Sequence, residues 1–186
     1  MKIVQRLALA AGLTLPVSGA LAASPDAMTI HWKDLRPASQ QAAESTGLPM
    51  IAAKMPDRGE TLSTNLDGKT VTLTGYALPV DREGDLVYQF LLVPWTGACS
   101  HMPTPPPNQI VLVTMPKPYK MANAYETVSV TGTLKTEMEK SQLFILDGVS
   151  IIQSGYSFGK AEVAAADTVP DAVVVPQANP WSFMKK

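Results

Sequence analysis

Two stretches of this chain, Thr70-Val71-Thr72-Leu73-Thr74-Gly75-Tyr76 and Glu126-Thr127-Val128-Ser129-Val130-Thr131-Gly132-Thr133-Leu134-Lys135, alternate small polar with apolar residues and carry a glycine in mid-run. Successive side chains on a strand point to opposite faces, so this period of two predicts half-buried β-strands. Three further runs read as strands: Leu86 to Val93, more fully apolar; Gln109 to Met115; and Leu143 to Ile152, with a bulge at Asp147-Gly148. Leu66-Asp67-Gly68-Lys69 and Asp81-Arg82-Glu83-Gly84-Asp85 are turn signatures, and Pro79 is expected to end the first strand.

Five strands in so short a stretch, most without helices between them, favour an antiparallel arrangement over a parallel sheet. The expected fold is mainly β: a small five-stranded antiparallel OB-like barrel with irregular N- and C-terminal extensions. Gly75 and Gly132 would permit the sharp bends that close it. A sandwich with an extra strand is the second choice. The expected organisation is a signal peptide over residues 1–22, an N-terminal extension with a short helix over 23–68, the barrel over 69–155 and a C-terminal tail over 156–186. The helix is placed near Trp32 to Pro37 and Ala38 to Ser45, and Trp181 and Phe183 could tack down the tail.

The N-terminus supplies the compartment. Lys2 and Arg6 precede an apolar run from Leu7 to Val17, and Ala20-Leu21-Ala22 is a small-x-small cleavage site. The run is too short to span a bilayer, so a soluble periplasmic product without a membrane anchor is expected. Loss of Lys2 and Arg6 takes the chain from 15 basic and 16 acidic residues to 13 and 16, a formal charge of −3. An acidic surface with no polybasic run argues against a nucleic-acid partner, despite the known use of OB-like barrels for oligonucleotides.

Cys99 is the single cysteine. Exported proteins usually pair their cysteines or dispense with them, and this one stands in Gly97-Ala98-Cys99-Ser100-His101-Met102, ahead of Pro103-Thr104-Pro105-Pro106-Pro107-Asn108-Gln109. In extended backbone Cys99 and His101 would share a face about 6.5 Å apart, within reach of one metal ion. Zinc wants four ligands, which His31, carboxylates or the partner in a homodimer would have to supply; copper(I) accepts fewer and softer donors, such as the adjacent Met102. Asn108 and Gln109 would act as a second shell orienting His101, or bond the loop backbone. The alternatives are a structural Cys99 packed as a small hydrophobe and a thiol nucleophile. Catalysis ranks last, because neither a resolving cysteine nor an oxyanion hole accompanies the thiol. The triple proline could form a stiff peptide-recognition surface, though a rigid connection between strands is the commoner role.

Trp32-x-x-Leu35, Gly75-Tyr76-Ala77-Leu78-Pro79, Phe90-Leu91-Leu92-Val93-Pro94 and Gly97-Ala98-Cys99-Ser100-His101 with Pro103-x-Pro105-Pro106-Pro107-Asn108-Gln109-Ile110-Val111 together resemble the bacterial exported domain-of-unknown-function 3299 family over residues 30 to 155. The resemblance implies a secreted OB-like β domain, often encoded beside envelope ABC-exporter components and zinc-responsive periplasmic proteins. It brings no activity. The expected function is thus an accessory protein that binds copper or zinc and serves envelope transport, with a transporter component or a metal donor or acceptor as partner. A non-catalytic adaptor of an envelope exporter, with a structural Cys99, is the alternative.

Overall fold

The computed structural model describes residues 27–40, 59–99, 104–145 and 148–170. The proposed signal peptide, the far end of the expected helix, His101, Met102, Trp181 and Phe183 therefore lie outside the described residues. Among the described residues no helix is long and apolar enough to cross a membrane.

Strands dominate: β1 (Met28–Thr29), β2 (Thr70–Glu83), β3 (Leu86–Val93), β4 (Val111–Lys120), β5 (Glu126–Ile145) and β6 (Gly148–Ala165). They form one sheet in the order β1-β2-β3-β4-β6-β5, and a further pairing of β2 with β5 returns the hydrogen bonding to its start. The Thr/Val runs are the strands that meet there, from Thr70 opposite Thr133 to Ala77 opposite Glu126. Their polar faces interlock, with the Thr72 and Thr131 hydroxyls 2.8 Å apart.

The sheet is mixed, which corrects the all-antiparallel expectation. β1 runs parallel to β2 and β4 parallel to β6. The second follows from counting: antiparallel neighbours alternate in direction, so a ring of five strands must contain at least one parallel pair. Hairpins join β2 to β3 and β5 to β6, and the odd pair falls at β4 and β6.

Three sequence expectations shift. β2 runs past Pro79 to Glu83, pairing Pro79 with Phe90 and absorbing the proline in a register shift before Asp81. The Leu143–Ile152 run is two strand ends, since Ile145 pairs with Gly148. The segment from Tyr156 assigned to a tail is strand as far as Ala165, with Tyr156 and Phe158 fully buried. Of the two mid-strand glycines, Gly132 sits at a register shift between Thr131 and Thr133, whereas Gly75 does not.

Period-two alternation divides the apolar residues between two cores. Val71, Leu73, Ala77, Phe90, Leu92, Val111, Val113, Val128, Val130, Leu134, Tyr156 and Phe158 form one buried cluster together with Ile30, Trp32 and Leu35 of the N-terminal segment. Their neighbours on the opposite face, Leu78, Leu91, Val93 and Leu112, form a second cluster with Ile110, Ala98 and Cys99. Leu143 and Ile152, from the far end of the β5–β6 hairpin, cover it.

Candidate functional site

Most of the resemblance motif is occupied in joining the N-terminal segment to the ring. Trp32 and Leu35 lie on a buried 3-10 turn, Trp32–Leu35, which Asp34 stabilises by accepting a 2.8 Å hydrogen bond from the His31 backbone N–H. The Trp32 indole donates to the Thr74 carbonyl at 2.9 Å and lies over Gly75, where a Cβ would come within 2.7 Å of the ring. Gly75 is a socket for this tryptophan.

Asn108 and Gln109 belong to a second 3-10 turn, Pro107–Gln109, and both are buried. Asn108 Nδ2 donates to Gln40 Oε1 at 3.1 Å and to the Thr61 carbonyl at 3.3 Å. Gln109 Nε2 donates to the carbonyls of Trp32 at 3.0 Å and Asn108 at 2.7 Å. Tyr156 completes the junction: its hydroxyl accepts from the Ser63 N–H at 2.7 Å and donates to the Leu35 carbonyl at 2.6 Å. Side chains thus pair the backbone groups of these loop ends where no ladder is available, while Gln109 Oε1 is itself buried without a hydrogen-bond partner among the described residues. The Asn-Gln pair serves this junction.

Cys99 has a different setting. It follows β3 in a tight loop where Gly97 has φ 77° and Cys99 itself φ 66°. A left-handed conformation in a non-glycine residue costs about 1 kcal/mol or more. The side chain is 8% exposed, packed among the second-core aliphatics with Tyr76, Val80, Trp95 and Tyr125 against that cluster. Tyr125 donates its hydroxyl to the Ala98 carbonyl, pinning the loop. Burial pushes the Cys99 thiol from an ordinary 9.0 up to about 11, while a hydrogen bond from Thr104 pulls weakly the other way. Near neutral pH this is a protonated, apolar-packed thiol, the opposite of the electropositive setting that activates a cysteine.

The sequence-selected residues that are described are therefore distributed over separate places. Cys99 lies in the second core, Asn108 and Gln109 at the junction, and the half-buried His31 at the start of the first 3-10 turn. Among the described residues no three of His, Cys, Asp and Glu gather into a metal-binding group. Sequence reasoning missed the covering role of Leu143 and Ile152, and the exposure of Phe144, Val149 and Ile151 on the reverse of the same hairpin. The alternation within Leu143–Ile152 carried that signal, but only once the turn at its centre was known.

These features define a small mixed-sheet β protein with two buried clusters, the second of which holds one thiol. The family model described as "Protein of unknown function (DUF3299)" matches residues 32–165, and the chain belongs to that family. The matched range ends with β6, in keeping with a folded unit that extends beyond residue 155. A crystal structure of a DUF3299 family protein from Pseudomonas aeruginosa PAO1 is similar at 31% identity and a TM-score of 0.55, covering 76% of this chain and 97% of that one. No curated protein matches the chain.

Proposed function

We propose that this protein is an exported, non-catalytic adaptor built on an OB-like barrel, which offers the outer face of its β5–β6 hairpin to an apolar surface of a protein partner in a cell-envelope assembly. The strand ring β2-β3-β4-β6-β5, closing on β2, supports the OB-like reading, because it matches the five-stranded Greek-key order of that fold. The observation that carries the function is the hairpin face, where Phe144, Val149 and Ile151 are 75%, 55% and 58% exposed. Phe144 and Val149 are cross-strand partners, and Ile151 lies two residues along from Val149, so the three side chains form one patch. Scattered surface hydrophobes need no explanation; a contiguous set on one hairpin does. Three side chains make a smaller footprint than the ~800 Å² per partner that a stable interface needs, which favours a transient contact with another protein over a permanent homodimer.

A photo-crosslinking residue at position 144 tests this in intact cells, with position 162 as control, exposed and distant along β6. The expected result is one discrete heterologous adduct from position 144, lost on Ile151→Ser and absent from position 162. No adduct, a smear, or an adduct with a second copy of the chain would refute it.

Metal binding through Cys99 and His101 is the second reading, favoured by the left-handed backbone at Cys99, since strain of that kind concentrates at functional positions. It works against a cost: removing a proton from a thiol near pKa 11 at pH 7 takes about 5 kcal/mol that the metal must supply. Elemental analysis of the reduced protein decides it. Stoichiometric copper or zinc that disappears in Cys99→Ser supports the reading, and trace metal indifferent to that change defeats it.

A further inference from the structure

The β5–β6 hairpin leaves the ring before it ends. β5 is paired to β2 only as far as Thr133 and β6 to β4 only from Tyr156, so beyond those points the two strands pair with each other and with no other described strand. The ladder slips between Thr136 and Glu139, at the point where the arm departs, and Thr136 is tied down there by its backbone N–H, 2.7 Å from Asp67 Oδ1. Past this slip the underside presents Leu143 and Ile152 to the second core, at 3% exposure each, and the upper side is the apolar patch. An arm with a fixed root, a register break and a small apolar footprint is a unit that can open below the cost of global unfolding.

We propose that the hairpin arm, in its described residues 139–145 and 148–154, is a hinged cover that lifts from β2, β3 and β4 about the register break at 136–139, exposing Leu78, Leu91, Leu112 and the Cys99 thiol while the ring stays folded. The lifted state presents an apolar strip on the ring and a second on the underside of the arm, so it offers more binding surface than the closed one. A partner that prefers this strip would shift the population toward it. The inference stands apart from the adaptor reading, since it concerns motion of the isolated protein.

Alkylation of Cys99 by iodoacetamide at pH 8, followed with hydrogen exchange of the arm amides, tests it. In the native protein, labelling is expected to be slow yet faster than global unfolding permits, and arm amides exchange before those of Val71 to Leu73. Leu143→Ala should accelerate labelling at least tenfold at unchanged global stability of the ring amides. Val113→Ala, which weakens the first buried cluster, should lower global stability while leaving native-state labelling within about twofold, and Phe144→Ala, on the free face, should leave both unchanged. Labelling that tracks global stability across all three variants would overturn the cover, as would fast labelling indifferent to Leu143→Ala.

Discussion

Replacing Gly75 by alanine adds one methyl group to its close contact with Trp32. A β-strand normally gains from such a change, by a few tenths of a kcal/mol in lost unfolded-state freedom. Here the new Cβ would stand 2.7 Å from Trp32 Cζ2, 2.9 Å from Leu92 Cγ and 3.0 Å from the Val93 carbonyl oxygen. The first is a rigid, 1%-exposed indole and the last is backbone, so neither can step aside as a flexible side chain would. Overpacking of a tight core costs about 1–3 kcal/mol. Pushing the indole away also stretches its 2.9 Å hydrogen bond to Thr74, worth about 1 kcal/mol. The expected net destabilisation is about 2–4 kcal/mol, far beyond the propensity gain. Equilibrium urea unfolding measures it, with an unchanged m-value showing that the unfolding transition itself is the same. A loss below 0.5 kcal/mol would refute the socket, because the tryptophan would then have room that the contacts deny it.

Tyr156→Phe removes a hydroxyl that both receives the Ser63 N–H and donates to the Leu35 carbonyl. Leaving two buried backbone groups unpaired should cost about 2–4 kcal/mol in the same assay. Alkaline stability provides another check. The folded thiol of Cys99 titrates near 11 against 9.0 when unfolded, so its contribution is fully present below pH 9 and is lost as pH rises toward 11. The loss approaches about 3 kcal/mol. Tyr119 and Tyr156, both raised from 10.0 by burial, push in the same direction at higher pH, so the comparison is with Cys99→Ala, whose stability should fall less between pH 9 and 11. Parallel curves for the two proteins would show that the thiol is not buried in solution.

The strands that alternate most regularly were legible from residues alone, because Thr70 to Tyr76 and Glu126 to Lys135 carry their buried faces in a strict period of two. β6 was not. Leu143 to Ile152 is apolar on both faces, one over the second core and one toward solvent, so it imitates a single buried strand and conceals its own turn. Tyr156-Ser157-Phe158 did display alternation, masked by the flanking glycines Gly155 and Gly159. The surroundings of Cys99 were not legible for a related reason. Cys99 shares its buried cluster with Ile110 and Leu112 and with Leu143 and Ile152, the last two more than forty positions later, and no local pattern encodes proximity at that distance. Asn108 and Gln109 were expected to bond the loop backbone or to orient His101, and their amides bond Gln40 and the carbonyls of Thr61, Trp32 and Asn108, two of them on the distant N-terminal segment that the local sequence did not point to.

Closure of the ring also sets the order in which this chain can acquire its structure. The β2–β3 and β5–β6 ladders join strands that are neighbours in sequence and need little loop closure, whereas Thr72 must find Thr131 across 59 positions. Non-local pairings of this kind slow folding into the millisecond-to-second range. Until that seam forms, β2 and β5 each keep a bare edge of alternating threonine and valine, the kind of edge that pairs with any similar strand it meets. The interval before the ring shuts is therefore when this protein is most exposed to aggregation, and mutations that loosen the Thr72–Thr131 seam should reveal themselves in yield before they do so in melting temperature.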